Sequence, residues 1–148
     1  MTTNDAEATA THLQWEERFR VGLEAIDKDH QKLFELINQL SDTLHQKSEM
    51  DVVRSVVKEL YEYTFYHFGR EEVVMRRHRY PHFLPHKKMH DDFVRQISMV
   101  RDRLAAGLEL DTSLLELLDY LRGWLVDHIL AQDTQLGHFV LDQESAES

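Results

Sequence analysis

The chain has 148 residues, enough for one domain with a hydrophobic core, and its lack of cysteine excludes disulfides, zinc–thiolate sites and thiol catalysis. The formal net charge of −10 argues against nucleic acid as a partner, because phosphates require a basic surface. The sequence has no apolar run that could span a bilayer and no basic segment followed by an apolar one near its start, so we expect no membrane insertion, no signal peptide and a cytoplasmic location.

Four helical patterns follow an N-terminal segment. Residues 1–20 are predicted to form an arm in which Trp15 and Phe19 pack over the rest of the domain. Apolar residues at three- and four-residue spacing then predict helices at about 24–46, 51–78, 82–106 and 111–137. Short connections favour antiparallel neighbours, so the predicted fold is all-α, an up-down-up-down four-helix bundle. Residues 21–137 would form this domain, and 138–148 an acidic C-terminal tail that is expected to fray over 141–148.

The predicted ends of the helices coincide with capping and helix-breaking residues. Asp51 and Asp111 are suited to the N-cap positions of the second and fourth helices. Pro81 separates the second helix from the third, and Gly107 suits the C-terminal end of the third.

Polar side chains interrupt the apolar stripe of every predicted helix. They are His30 on the first, His67 and Glu71 on the second, His86 and His90 on the third, and His128 and Asp133 on the fourth. In an antiparallel bundle with a rise of roughly 1.5 Å per residue, all seven lie within about 6–17 Å of the same end. The sequence therefore predicts that they converge on one region of the core.

Each of these residues has an ordinary explanation when it is taken alone. A single histidine on an apolar face, such as His30, is more often a hydrogen-bonded core residue than a metal ligand. His67 and Glu71 could be a simple helix-face pair, whereas His86 and His90, one turn apart, chelate a metal readily. Burying five imidazoles and two carboxylates without a cation would cost on the order of several kcal/mol or more, so the set together indicates a metal site.

The donor set restricts the metal without identifying it. Five imidazoles and two carboxylates exceed what one tetrahedral zinc ion can use, and calcium and magnesium prefer oxygen ligands. Imidazole suits iron, copper, nickel and zinc. Two ions bridged by both carboxylates would divide the histidines three and two, and the second ion would keep an open position for a small ligand. The sequence lacks both the Glu-x-x-His motif of ferritin-like di-iron bundles and the zinc-protease pattern.

The spacing of His128 and Asp133 does not fit a regular helix. Five residues correspond to about 140° of rotation, and Gln132 has the better nominal position for facing His128. We therefore predict a π-like turn or another local distortion near residues 128–133 that turns Asp133 inward.

The complete pattern resembles that of the hemerythrins, in particular their bacterial single-domain branch. It consists of a histidine, His-x3-Glu, His-x3-His and His-x4-Asp, which read here "DKDHQKLFELIN", "HFGREE", "HKKMH" and "WLVDHILAQD" over roughly residues 12–137. The resemblance implies a four-helix bundle around two non-haem iron ions. Carboxylates and an oxo or hydroxo group would bridge these ions.

The resemblance also assigns roles to individual residues. It implies that His86, His90 and His128 bind one iron ion. His30 and His67 would bind the ion with the open position, and Glu71 and Asp133 would bridge the two. The residues that match the family's apolar pocket around the open position are Phe68, Trp124, Leu125 and Ile129.

The resemblance implies reversible dioxygen binding for oxygen transport, storage or delivery, rather than an enzyme. One alternative is an oxygen or redox sensor; sensor versions are usually fused to a signalling domain, and we expect none here. The other is a di-iron enzyme, namely a peroxidase, a nitric-oxide reductase or a ferroxidase. Expected partners are dioxygen and a redox or oxygen-consuming protein.

Further basic and imidazole side chains fall outside the pattern. The basic cluster is predicted to be a solvated, dipole-complementing region, or a docking site for an acidic redox partner; it comprises Arg76, Arg77, Arg79, Lys87 and Lys88. The other histidines are expected on the surface or in loops, and they are His12, His45, His78, His82 and His138.

Overall fold

The protein is described by a computed structural model that covers residues 12–110 and 113–147. Within these ranges the chain forms helices and no β-strand. The helices are α1 (Glu24–His45), α2 (Met50–Arg77), α3 (Phe83–Ala105), α4 (Leu114–His128) and α5 (Thr134–Glu147). A short 3₁₀ helix (Glu17–Phe19) precedes α1, and a π-helical segment (Ile129–Asp133) joins α4 to α5 without a break.

The predicted all-α four-helix bundle is confirmed. Helix α1 packs against α2 and α4, α2 packs against α3, and α4, the π segment and α5 together make the fourth rod. Away from the end where α1 begins, the core is aliphatic; its buried side chains include Leu40, Val53, Val57, Leu60, Ile97, Leu104, Leu118 and Leu121. Among the described residues, no helix is both long and apolar enough to cross a membrane.

The helix ends agree with the sequence in part. Gly107 follows α3 with a φ of 71°, the left-handed conformation that favours glycine, so its predicted role is confirmed. The predicted N-cap Asp51 is wrong: α2 begins at Met50, and Asp51 lies in the first turn, where it accepts a hydrogen bond from Arg54. Asp111 lies outside the described residues, and the hydroxyl of Ser113 caps α4 by accepting from the backbone N–H of Glu116.

The fourth rod extends through Glu147, whereas the sequence predicts an acidic tail after residue 137 that frays over 141–148. Leu136 and Val140, one turn apart, are buried against Met75 and Tyr80 at the end of the bundle where α2 finishes. Gln143 pairs with the side chain and the backbone of His78. The residues that follow Leu141 are mostly polar, so the composition of the tail does not reveal this apolar pair.

The described part of the N-terminal arm packs on α1. The rings of Trp15 and Phe19 contact Phe34 at centroid distances of 5.5 and 5.1 Å, as the sequence predicts. The side-chain amide of Asn38 pairs with both the N–H and the carbonyl of Leu13, which fixes the arm to the helix. Residues 1–11 of the predicted arm lie outside the described residues.

Candidate metal centre

The seven polar side chains singled out in the sequence lie together in the core, at the end of the bundle where α1 and α3 begin. All are buried, with at most 4% of the surface of any one exposed. They come from all four rods, and they are His30, His67, Glu71, His86, His90, His128 and Asp133. The aliphatic stripe of each helix thus gives way at the same level to imidazoles and carboxylates.

The π-helical segment explains how Asp133 reaches this region. The predicted distortion is confirmed as a π-helix over Ile129–Asp133. Asp133 is 1% exposed, whereas Gln132 is only partly buried. The backbone N–H of Thr134 donates to the carbonyl of Ile129, five residues earlier, and the hydroxyl of Thr134 donates to the same carbonyl at 2.9 Å.

Glu71 lies between two sets of histidines. Its Oε2 atom is 3.2 Å from Nε2 of His30 and 2.5 Å from Nε2 of His67. Its Oε1 atom is 3.1 Å from Nε2 of both His86 and His90. One carboxylate oxygen therefore faces each set.

Asp133, on the fourth rod, also lies between the two sets of histidines. Its Oδ2 atom is 3.0 Å from Nε2 of His30, and its Oδ1 atom is 3.1 Å from Nε2 of His86 and 3.2 Å from Nε2 of His128. The donor atoms form two groups, each with all its atoms within 4.8 Å of one another. One group has three histidines and the other two, and both contain Glu71 and Asp133.

The carboxylates and the imidazoles strongly shift the pKa values of one another. Burial alone would lower the pKa of His30, but the carboxylates of Asp133 and Glu71, 3.0 and 3.2 Å from its Nε2 atom, raise it to about 10. The same balance raises the pKa of His86 to about 9. Burial and the charge of Glu71 would raise the pKa of Asp133, but His128 and His30 hold it well below its ordinary value. Positive charge is therefore needed between these groups, and protons compete with metal ions to supply it.

The remaining unsatisfied atoms fit metal ions better than protons. Both carboxylate oxygens of Asp133 and Nε2 of His67 are buried without a hydrogen-bond partner of good geometry. Such atoms cost stability unless a cation or a donor satisfies them. Lone pairs of five imidazoles and two shared carboxylates suit a pair of borderline transition-metal ions, including iron. The donor set therefore fits a two-metal centre.

Two further carboxylates support one histidine in each group. Asp29 is 2.9 Å from Nδ1 of His67 through Oδ2, accepts a hydrogen bond from Tyr63 at 3.0 Å, and pairs with Arg70. Glu72 lies 3.1 Å from Nδ1 of His90. Such carboxylate–histidine pairs orient the ring and increase its basicity as a ligand.

Neither supporting residue interrupts an apolar stripe, but the position of each beside a ligand in the sequence is a signal for its role. Asp29 directly precedes His30 and Glu72 directly follows Glu71. Neighbours on a helix point about 100° apart, so a polar residue beside an inward-facing ligand faces the adjacent helix.

Aromatic rings enclose the three-histidine group. Phe68 stacks on His90 with centroids 3.8 Å apart, and Trp124 stacks on His128 at 4.4 Å. Phe68 also contacts His67 at 5.9 Å, so it lies beside both groups. Leu125 and Ile129 are buried on the same rod. The resemblance to the hemerythrins implies that these four residues line the pocket around the open position. Among the described ring contacts, Trp124 also stacks on His128 of the three-histidine group.

The other five histidines and the residues of the basic cluster are partly or fully exposed. None of the other five histidines is buried, and His12 and His78 pair with Asp42 and Gln143. In the basic cluster, Lys87 pairs with Asp91 and Lys88 with Asp92, while the arginines are exposed. No further group of three or more potential metal ligands occurs in the described ranges.

Comparison with known proteins agrees with this geometry. A model of the hemerythrin HHE cation binding domain matches residues 21–139. A bacteriohemerythrin from Pseudomonas aeruginosa is 36% identical over 122 residues, which cover 82% of this chain and 77% of the relative. Myohemerythrin-1 from Phascolopsis gouldii is 29% identical, with 80% of this chain and 87% of the relative covered. A crystal structure of wild-type hemerythrin superposes with a TM-score of 0.80 at 26% identity, covering 86% of this chain and 97% of that one.

Proposed function

The chain belongs to the hemerythrin family, whose members bind a non-haem di-iron centre, and from this premise we propose that it binds dioxygen reversibly for oxygen transport, storage or delivery. One observation carries the proposal. Glu71 and Asp133 each turn one oxygen toward a three-histidine group and the other toward a two-histidine group.

The proposed ligands divide unequally between two iron ions. His86, His90 and His128 would hold the first ion, His30 and His67 would hold the second, and Glu71 and Asp133 would be shared between them. With one histidine fewer, the second position keeps room for a small ligand. Iron bound there supplies the open coordination position and the electrons that dioxygen binding requires.

The surrounding side chains favour binding over further reaction. The two-histidine group is completely buried, with 0% of His30 and of His67 exposed. The proposed apolar pocket consists of Phe68, Trp124, Leu125 and Ile129. Its function is to exclude water and protons that would promote irreversible oxidation of the iron. Asp29 fixes the ring of His67, so the ligand beside the pocket cannot rotate freely.

The physiological setting is part of the same proposal. The protein acts in the cytoplasm and exchanges dioxygen with an oxygen-consuming protein, or electrons with a redox protein that returns oxidised iron to the ferrous state. The net charge of −10 suits a freely diffusing carrier, because like charges oppose aggregation.

Optical spectroscopy of the iron-loaded protein tests this function. The protein is reduced anaerobically, and its visible spectrum is recorded before dioxygen, after dioxygen and after degassing. A charge-transfer band that forms, persists and then disappears on degassing is the expected result. Rapid decay to a ferric spectrum that degassing does not reverse would contradict a carrier. Substrate-dependent turnover with peroxide, nitric oxide or ferrous iron would favour an enzyme instead.

A further inference from the structure

The outward face of α2 carries apolar side chains that the described chain leaves uncovered. Phe65, Tyr66 and Val73 are 63%, 53% and 44% exposed, and Gly69 lies between them. Depressions of about 880 and 200 Å³ flank Gly69, one toward α5 and the other toward α3. Large apolar side chains clustered on one exposed helix face are typical of an interaction site rather than of scattered surface residues.

Charged residues at the two ends of this stripe have opposite signs. Glu59 and Glu62 precede it, whereas Arg76 and Arg77 follow it, and all four are exposed. Glu62 has a long 3.9 Å pair with Lys58, and Arg76 lies over the ring of Phe83 at 5.2 Å. Exposed contacts of this kind are weak, so both side chains are free to form intermolecular pairs.

From this arrangement we propose that the outward face of α2 binds a second copy of the chain, with the two α2 helices antiparallel and crossing at Gly69. Positions equally far from Gly69 on either side then meet at the same level. Glu62 of each copy comes to the level of Arg76 of the other, and Phe65 to that of Val73. A two-fold interface repeats each pairing, so every favourable contact occurs twice.

Charge complementarity selects a second copy as the occupant of this face. Two chains with a net charge of −10 repel each other in most orientations. The antiparallel α2 pairing brings an acidic segment against a basic segment at both ends and leaves apolar side chains in the centre. A partner that was uniformly acidic would meet Glu59 and Glu62, and a uniformly basic one would meet Arg76 and Arg77.

Gly69 provides a second, independent observation. A Cβ atom added there would meet nothing within 4 Å, so packing within the described chain does not require glycine. Glycine inside a helix destabilises it relative to alanine, because glycine loses more conformational entropy on folding. A second backbone approaching at this position explains why the absence of a side chain is useful.

Charge reversal tests the pairing directly. Sedimentation velocity of the iron-loaded 148-residue chain over a wide concentration range gives the dimer dissociation constant. Glu62→Arg and Arg76→Glu should each weaken the dimer about tenfold, because each single change places like charges together twice. The double variant E62R/R76E should restore the original affinity. Arg95→Glu, on the exposed face of α3, is the matched control and should have no effect.

Gly69→Leu separates self-association from folding. A Cβ atom at this position meets nothing within 4 Å, and leucine has a higher helix propensity than glycine, so the melting temperature of the monomer should not fall. The dimer should nevertheless be lost. A monomer at every concentration, a dimer that G69L leaves intact, or single reversals that the double variant does not rescue would each overturn the proposal.

Discussion

The two halves of this bundle are built from the same four rods but are stabilised differently. In the half away from the start of α1, side chains such as Leu40, Leu60 and Leu118 fill the core, and each of these three is at most 2% exposed. In the other half, His30, Glu71 and the five other polar groups occupy equivalent inward positions. The first half gains stability by removing apolar surface from water, whereas the second depends on bound cations.

This difference shows how a site can be accommodated in a small bundle. The aliphatic half fixes the spacing and register of the rods without any ligand. The polar half can therefore hold seven donors in positions where they are costly in the absence of metal. We expect the two halves to respond differently to metal removal and to mutation.

Removal of iron should produce the largest difference between the halves. The protein from which a chelator has removed the iron is expected to melt at least about 10 °C below the iron-loaded protein, because metal binding contributes directly to the free energy of folding. Hydrogen exchange followed by mass spectrometry should show lost protection around His67 and His128 and retained protection around Leu60 and Leu118. Equal melting temperatures, or a uniform loss of protection, would contradict the division into two halves.

Glu71→Gln should disable the polar half while leaving the aliphatic half intact. The amide keeps the size of the side chain but removes the charge that both groups share. We expect the affinity for the second iron ion to fall at least about a hundredfold, since even outer partners of ligands contribute 10–100-fold. Iron analysis after gel filtration measures the stoichiometry. Glu35→Gln, an exposed change on α1, is the control. Two tightly held iron ions in E71Q would show that Glu71 is not a bridge.

Leu118→Ala should destabilise the aliphatic half while leaving the polar half intact. Leu118 is 1% exposed in the aliphatic core, and its truncation should destabilise the protein by about 2–5 kcal/mol. The cost should be the same within about 0.5 kcal/mol in iron-loaded and metal-free protein, because the site is distant. Urea unfolding measures both values, and the iron content should be unchanged. A loss of iron in L118A would mean that the halves are strongly coupled.

Asp29→Asn should have the smallest effect and should distinguish the two metal positions. The change removes the carboxylate 2.9 Å from Nδ1 of His67 but touches no residue of the three-histidine group. We expect the affinity at the two-histidine position to fall about 10–100-fold. Iron release to a chelator should become biphasic, with one ion lost faster. Tyr63→Phe, which removes only the hydrogen bond to Asp29, should have a weaker effect. Equal acceleration of both phases would exclude a specific role for Asp29.

The fold and the convergence of the seven polar groups follow from the sequence because both depend on simple periodicity. The interruptions at His30, His67 and His86 all occur at inward positions, and antiparallel rods bring them to one level. The five-residue spacing of His128 and Asp133 also predicts the π segment, since a regular helix would turn Asp133 away.

Other features depend on contacts that periodicity does not encode. The pairing of Asp29 with His67 requires the relative rotation of α1 and α2, which a single sequence does not specify. The continuation of the fourth rod through Glu147 depends on the burial of Leu136 and Val140 by residues at the end of α2. Trp124 lies against His128 because rings on one rod stack one turn apart, a preference that the pattern of apolar residues does not reveal.

Anomalous diffraction at the iron edge from crystals of the iron-loaded protein tests the central claim most directly. The account predicts two iron peaks in the polar half, about 3.5–4 Å apart as in other two-metal sites, with oxygens of Glu71 and Asp133 in contact with both. A single peak, or two peaks that do not share these carboxylates, would contradict it.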